Sequence, residues 1–253
     1  MLSKRIIACL DVRDGKVVKG VNFEGLRDAG DPAALARRYN VEGIDEIVIL
    51  DVTATIESRQ ARAHTIQAVA REVFLPLTVG GGIRSEDDAA AAIDAGADKV
   101  SLNTAALSNP DLITKLANRY GSQAVIVAID AKAASQSRRY EVYARSGQAE
   151  ANRDAVEWAR EATGRGAGEI LLTSIDRDGT KAGFDCELTS AVSDAVNIPV
   201  IASGGAGSFE HFAEVFESGR ADAALAASIF HFNEKSVTAL KEFLRDRQIP
   251  VRI

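Results

Sequence analysis

The chain has 253 residues, 46% of them hydrophobic and 26% charged, which is enough apolar material for a large core at a length where single α/β barrels are common. Its formal charge is −6 and its 30 basic residues are scattered, which excludes a nucleic-acid surface built on a basic stripe but leaves a small anionic substrate open. Two cysteines without metal-ligand spacing, no apolar run near the ~18 residues that span a bilayer, and no signal-peptide core after Met1 lead to the expectation of a cytoplasmic protein needing neither metal nor cofactor.

Short apolar runs alternate with amphipathic helical stretches along the chain. Strands are predicted at Arg5–Leu10, Glu46–Leu50, Leu75–Val79 and Lys99–Asn103, then at Gln123–Ile129, Glu169–Thr173, Pro199–Ala202 and Ala223–Ala227. Each is short and mostly apolar, as a parallel strand covered on both faces should be. Asp31-Pro32 and Asn109-Pro110 each place an N-cap residue before a proline at the first helical position. Ser85-x-x-Asp88 resembles a capping box, and Gly43, Gly96, Gly121 and Gly219 stand where helices should stop. Eight such units without a Pro/Gly/Ser-rich linker predict one α/β domain over residues 1–253, a closed (β/α)8 TIM barrel. A doubly wound open sheet is the alternative, though it has little use for eight successive units.

The second half of the chain echoes the first. Asp45–Asp51 resembles Gly168–Ser174, Gly80–Ser85 resembles Gly204–Ser208, and Ala97–Asn103 resembles Ala221–Ala227. Ile-Ala-Cys-Leu-Asp11 likewise resembles Ile-Val-Ala-Ile-Asp130, and all these offsets lie between 119 and 124 residues. The barrel is therefore read as two related half-barrels.

Reacting groups in such barrels sit at the C-terminal ends of the strands. Asp11 ends the first strand and Asp130 the fifth, half a turn away, so the two carboxylates should face each other as general acid and general base. Alone, either aspartate could equally cap the turn that follows it. Gly81 and Gly82 after strand three, and Gly204 and Gly205 after strand seven, would let backbone N–H groups approach an anion. Small or hydroxyl residues flank them: Asn103 and Thr104, then Ser203, Ala226 and Ser228. A glycine pair is more often a tight turn, but pairs half a barrel apart predict two phosphate sites and a ligand phosphorylated at both ends. At the opposite face Arg5, Glu46, Lys99 and Glu169 begin four strands; charges at strand entrances are usually just solvated. The three histidines suggest neither a metal site nor a Ser/His/Asp arrangement, and Trp158 reads as a packing residue.

Four segments, in order, carry a family resemblance: Lys4–Gly20, Leu171–Thr180, Ile201–Gly207 and Ala224–Phe232. Over essentially the whole chain they resemble the cyclase subunits of imidazole glycerol phosphate synthase, from histidine biosynthesis. The resemblance implies a lyase of amino-acid biosynthesis with Asp11 and Asp130 as acid and base. It also implies substrate contacts from Lys19, Thr173 and Asp178, and phosphates held at the two glycine sites. It implies a heterodimer too, with a glutaminase (a glutamine amidotransferase) docked on the N-terminal face. Arg5, Glu46, Lys99 and Glu169 would then ring an ammonia entrance, with Asp98 at the interface. The chain departs from the family pattern at Gln148–Arg153 and in an added Arg220. The sister isomerase of the same pathway shares the half-barrel repeat but works without a glutaminase. A non-catalytic barrel that only activates a partner is the third reading; it would have no use for the two aspartates.

Overall fold

The computed structural model describes residues 2–21, 24–52, 63–134, 139–144, 147–231 and 236–253, with backbone alone for 19–21, 24–28 and 231. In chain order the first half runs β1 (Arg5–Arg13), β2 (Lys16–Val21), β3 (Glu24–Gly30), α1 (Pro32–Val41), β4 (Glu46–Asp51), α2 (Ala63–Ala70), β5 (Leu77–Gly80), α3 (Glu86–Asp94), β6 (Lys99–Leu102) and α4 (Thr104–Ser108). It continues with α5 (Asp111–Tyr120), β7 (Val125–Ala133), β8 (Tyr140–Ala144), β9 (Ala149–Asp154), α6 (Ala155–Gly164) and β10 (Glu169–Ser174). The remainder is α7 (Cys186–Ser193), β11 (Val200–Ser203), α8 (Phe209–Glu217), β12 (Ala223–Ala226), α9 (Ser228–His231) and α10 (Val237–Asp246).

Strands β1, β4, β5, β6, β7, β10, β11 and β12 are parallel, and their order closes on itself into the expected (β/α)8 barrel. Ile7 pairs with Glu46 on one side of β1 and Arg5 with Ala223 on the other, while β10 pairs with β7 to complete the ring. The ring of eight strands has no open edge, which rules out the doubly wound sheet. Among the described residues, no helix is long and apolar enough to cross a membrane.

The pleat of β1 shows how these strands serve two cores. Ile6, Ala8 and Leu10 pack outward in the layer between barrel and helices. Ile7 and Cys9 point into the lumen, where Val48, Ile126, Leu171, Ile201 and Leu225 meet them. A strand buried on both faces cannot alternate polar with apolar, hence the continuous apolar runs.

Four strands were not predicted. β2 and β3 continue antiparallel from the end of β1, and β8 and β9 do the same from β7, an equivalent place half a barrel on. Glu-Gly-Leu-Arg-Asp-Ala-Gly in β3 carries no apolar alternation, and the others send only a residue or two, such as Val17 and Val142, into the core beside their backbone pairing.

Aspartates lock the barrel floor. Asp45 donates its N–H to the Ile6 carbonyl (3.0 Å) and accepts the Ile6 N–H at its carboxylate (2.8 Å). Asp98 repeats this with Leu77, and Asp222 with Val200. At the fourth such position stands Gly168, where a Cβ would lie 2.1 Å from the Ser122 carbonyl oxygen. Lys241, buried on α10, donates to Asp45 (2.9 Å) and to the Gly43 carbonyl (2.5 Å), tying the last helix to the first strand pair.

Caps follow the sequence with two corrections. Asp31 accepts from Ala34 N–H ahead of Pro32, as expected. Asn109 instead closes α4, and α5 starts after Pro110 (φ −60°) without a side-chain cap. Gly43, Gly96 and Gly121 take positive φ, but beyond α8 the left-handed residue is Arg220 (φ 58°) rather than Gly219. Gly219 is needed for another reason: a Cβ there would lie 2.7 Å from the Val215 carbonyl oxygen. Ser85 accepts from Asp88 N–H, while the Asp88 carboxylate reaches back to Arg84 N–H (2.9 Å). Half a barrel on, His211 does the same job, its Nδ1 accepting from Gly207 (3.2 Å) and Ser208 (3.3 Å).

Candidate active site

The C-terminal ends of the barrel strands enclose a cavity of about 470 Å3. Asp11 and Asp130 both line it, at the ends of the inward-facing rows Ile7-Cys9-Asp11 and Ile126-Ala128-Asp130. Gly81, Gly82, Asn103 and Thr104 border it on one side, and Thr173, Asp178, Ser203, Gly204, Gly205, Ala226 and Ser228 on the other. The structure thus brings together every mouth residue expected from the sequence except Lys19, whose side chain lies outside the described residues.

The two aspartates have different surroundings. Asp11 is buried, and its Oδ1 accepts a hydrogen bond from the Cys9 thiol at 3.2 Å. Asp130 borders the open cavity, yet the protein packed behind it desolvates its carboxyl strongly. Burial first, and then the like charge of Asp178, push its pKa up to about 7, with a hydrogen bond from Asn103 opposing the rise. That bond runs from Asn103 Nδ2 to Asp130 Oδ2 at 2.9 Å. Near neutral pH Asp130 is therefore divided between acid and carboxylate, which suits a group that both gives and takes protons.

The glycines are required by geometry. Gly81 has φ +82°, and a Cβ there would sit 2.2 Å from the Asp51 carbonyl oxygen. Gly205 has φ +101°, and its Cβ would meet the Gly183 carbonyl oxygen at 2.1 Å. Any side chain would push apart the loops that shape the cavity, and the bare backbone can approach a bound anion.

Sequence reasoning missed Asp51, Cys9, Arg84 and Lys181 on the cavity wall. Asp51 was within reach, since it closes β4 as a strand-end aspartate. Cys9 lies two residues before Asp11 on the same inward row. Lys181 could not be found, because its loop reaches the cavity only through tertiary packing against Gly207.

At the floor, the four charges expected at strand starts form one closed network. Arg5 bonds Glu46 (2.5 Å) and Glu169 (2.7 Å), and Lys99 bonds the same pair at 3.0 and 2.6 Å. Burial alone would lower the Arg5 pKa, but its bonds to Glu169 and Glu46 outweigh it and hold the guanidinium above its ordinary value. Burial would likewise raise Glu169; the bonds from Arg5 and Lys99 prevail and lower it. A pair-by-pair satisfied ring, not a set of solvated ends, therefore stands at the floor of the lumen. Asp98 is exposed beside it, with one oxygen committed to Leu77 N–H. Trp158 is buried as expected, under the Arg153 guanidinium at 4.7 Å.

The large hydrophobic side chains most exposed among the described residues are Leu2, Val41, Phe74 and Ile253. All four lie at this floor end: Leu2 ahead of β1, Val41 at the end of α1, Phe74 ahead of β5, and Ile253 just past the bridge between Lys4 and Val251.

Residues 5–236 match the family model described as "Histidine biosynthesis protein". A protein of Acidobacterium capsulatum named "Imidazole glycerol phosphate synthase subunit HisF" is 60% identical over 253 residues, all of this chain and 99% of the relative. One of Alkaliphilus metalliredigens with the same name is 56% identical over 252 residues, covering both chains completely.

Proposed function

The chain belongs to the histidine biosynthesis protein family, and from that premise we propose that it acts as the cyclase subunit of imidazole glycerol phosphate synthase. Ammonia attacks the ribulose carbonyl of phosphoribulosyl-formimino-aminoimidazole carboxamide ribonucleotide. Ring closure and cleavage then release imidazole glycerol phosphate and aminoimidazole carboxamide ribonucleotide. One observation carries this reading: Asp11 and Asp130 share one cavity, between two glycine loops that stand half a barrel apart.

The chemistry asks for a proton donor at the carbonyl oxygen and an acceptor for the protons that nitrogen loses. Asp130, pushed up to about 7, can start protonated and return the proton later. Asp11, on the facing strand and oriented by Cys9, is the complementary acceptor. Gly81, Gly82, Asn103 and Thr104 hold one phosphate; Ser203, Gly204, Gly205, Ala226 and Ser228 hold the other. Thr173 and Asp178 contact the middle of the substrate, and the family resemblance adds Lys19 as a further contact. The reaction needs no metal or organic cofactor.

A glutaminase subunit docks on the floor and supplies the ammonia, and the pair works in the cytoplasm. Support for this face comes from the four exposed hydrophobics and from the exposed Asp98 at the same end. Above it, the Arg5–Glu46–Lys99–Glu169 network is the entrance, and the apolar lumen of Ile7, Val48, Leu171 and Ile201 shields ammonia from water and protonation. The test is turnover of the bisphosphorylated substrate with ammonium salts at mildly alkaline pH, without partner. Imidazole glycerol phosphate should form, and Asp11→Asn and Asp130→Asn should each abolish it without unfolding the chain. Absence of product with the wild-type chain refutes the cyclase reading, and turnover of the isomerase's own substrate would replace it.

A further inference from the structure

The cavity wall poses an electrostatic problem for the ligand proposed above. Among the described residues lining it are four carboxylates, Asp11, Asp51, Asp130 and Asp178, against two cations, Arg84 and Lys181. Counting full charges gives 2 − 4 = −2 for these side chains. A phosphate monoester carries about −1.5 to −2 near neutral pH. A ligand with two of them is repelled by such a wall, and cations placed where the phosphates go would offset that repulsion.

The two cations among the described lining residues are placed one to each glycine loop. Arg84 lies two residues after Gly82, just ahead of α3, where its N–H is held by Asp88 and its Nε lies 3.8 Å from the same carboxylate. Its counterpart in the second half, 123 residues on, is Gly207, which has no charge to offer. The cation there comes from another loop. Lys181, in the connection from β10 to α7, packs so closely on Gly207 that a Cβ there would meet the Lys181 carbonyl oxygen at 2.3 Å and its Cβ at 2.8 Å. Lys181 holds this position in the left-handed region, φ 57°, which for a non-glycine residue is strained backbone at a place where the side chain matters. The connection is pinned to the loop by the bond from Gly183 N–H to the Gly205 carbonyl (2.8 Å). Gly207 is thus bare because Lys181 occupies the space an Arg84 equivalent would need.

We propose that Arg84 and Lys181 are the two phosphate-binding cations of this site, Arg84 for the phosphate at Gly81-Gly82 and Lys181 for the phosphate at Gly204-Gly205. The assignment rests on the bisphosphorylated ligand inferred above. Each product keeps one of the two phosphates, so the products report on the two ends separately.

The experiment titrates imidazole glycerol phosphate and aminoimidazole carboxamide ribonucleotide separately into the full chain by calorimetry. Wild type is compared with Lys181→Met, Lys181→Arg and Arg84→Gln. Lys181→Met should weaken one product at least tenfold and leave the other within twofold; Arg84→Gln should do the reverse, and Lys181→Arg should recover most of the loss. Both variants weakening the same product, or neither weakening any, overturns the proposal, and so does equal loss in Lys181→Arg and Lys181→Met. Wild-type turnover with ammonium, measured alongside, separates the two levels. Turnover without the crossed pattern removes only the cation assignment, while no turnover and no product binding removes the ligand itself and this proposal with it.

Discussion

Asp130 is the residue whose chemistry is most dependent on its burial, and that dependence can be measured without assaying catalysis. In the unfolded chain an aspartate titrates at about 3.9, whereas here burial and Asp178 raise Asp130 to about 7. Between those values the folded protein holds a proton that the unfolded chain releases, so this group makes stability fall as pH rises through the window. Above about 7 its penalty is constant. Asp130→Asn removes the titration while keeping an amide that Asn103 can still bond. The variant should therefore gain stability relative to wild type between pH 5 and pH 8 in urea denaturation; an unchanged difference would mean that the carboxyl is already ionised at pH 5. The ammonium-dependent rate, corrected to free ammonia, should decline above about pH 7 as the proton donor is lost, with the inflection absent from the binding of either product.

At the scale of elements, one contact beside the cavity and one far from it give sharp mutational expectations. Gly205 sits at φ +101° with the Gly183 carbonyl oxygen 2.1 Å from where a Cβ would be. Gly205→Ala must separate the β11–α8 loop from the β10–α7 loop, costing about 1–3 kcal/mol from strain and overpacking. Substrate affinity should fall further than thermal stability does, since the same movement opens one phosphate site; intact affinity with a lowered melting point would assign the glycine to folding alone. Lys241 is the opposite case, far from the cavity. Its ammonium is buried against Asp45 and the Gly43 carbonyl, and Asp45 also holds Ile6 N–H. Lys241→Met strips the Asp45 carboxylate of that partner and should destabilise by about 3–5 kcal/mol in chemical denaturation. A loss under 1 kcal/mol would mean that Arg252, 3.3 Å from Asp45, compensates. The barrel strands were legible because burial on both faces leaves an apolar signature. The elements that decide these predictions were not: β2, β3, β8 and β9 are placed largely by backbone pairing, and Asp45, Gly168 and Lys241 act through partners up to 198 residues away. The same split holds at the site, where strand ends revealed Asp11 and Asp130, while the raised pKa of Asp130 depends on its burial and then on Asp178, from a loop whose path no local pattern encodes.

For the molecule as a whole, the barrel separates its two ends by kind of surface. The mouth is polar and crowded with carboxylates, whereas the floor combines a neutralised ionic ring with scattered exposed hydrophobics. Phe74 is the extreme case, 98% exposed ahead of β5, close in sequence to Leu77, which Asp98 anchors. A phenylalanine left bare in water forgoes about 1.5–3 kcal/mol of burial, a sacrifice that a partner surface would recover. Phe74→Asp should leave ammonium-dependent turnover by the isolated chain unchanged, because the cavity lies at the other end of the barrel. With the glutaminase present, the same change should weaken association by about ten- to a hundredfold and lower glutamine-dependent turnover at limiting partner. The comparison within one protein is what makes the outcome decisive. Equal loss of both activities would place Phe74 in folding, and loss of neither would move the docking surface away from the β5 side of the floor, leaving Leu2 and Ile253 on the β1 side as its centre.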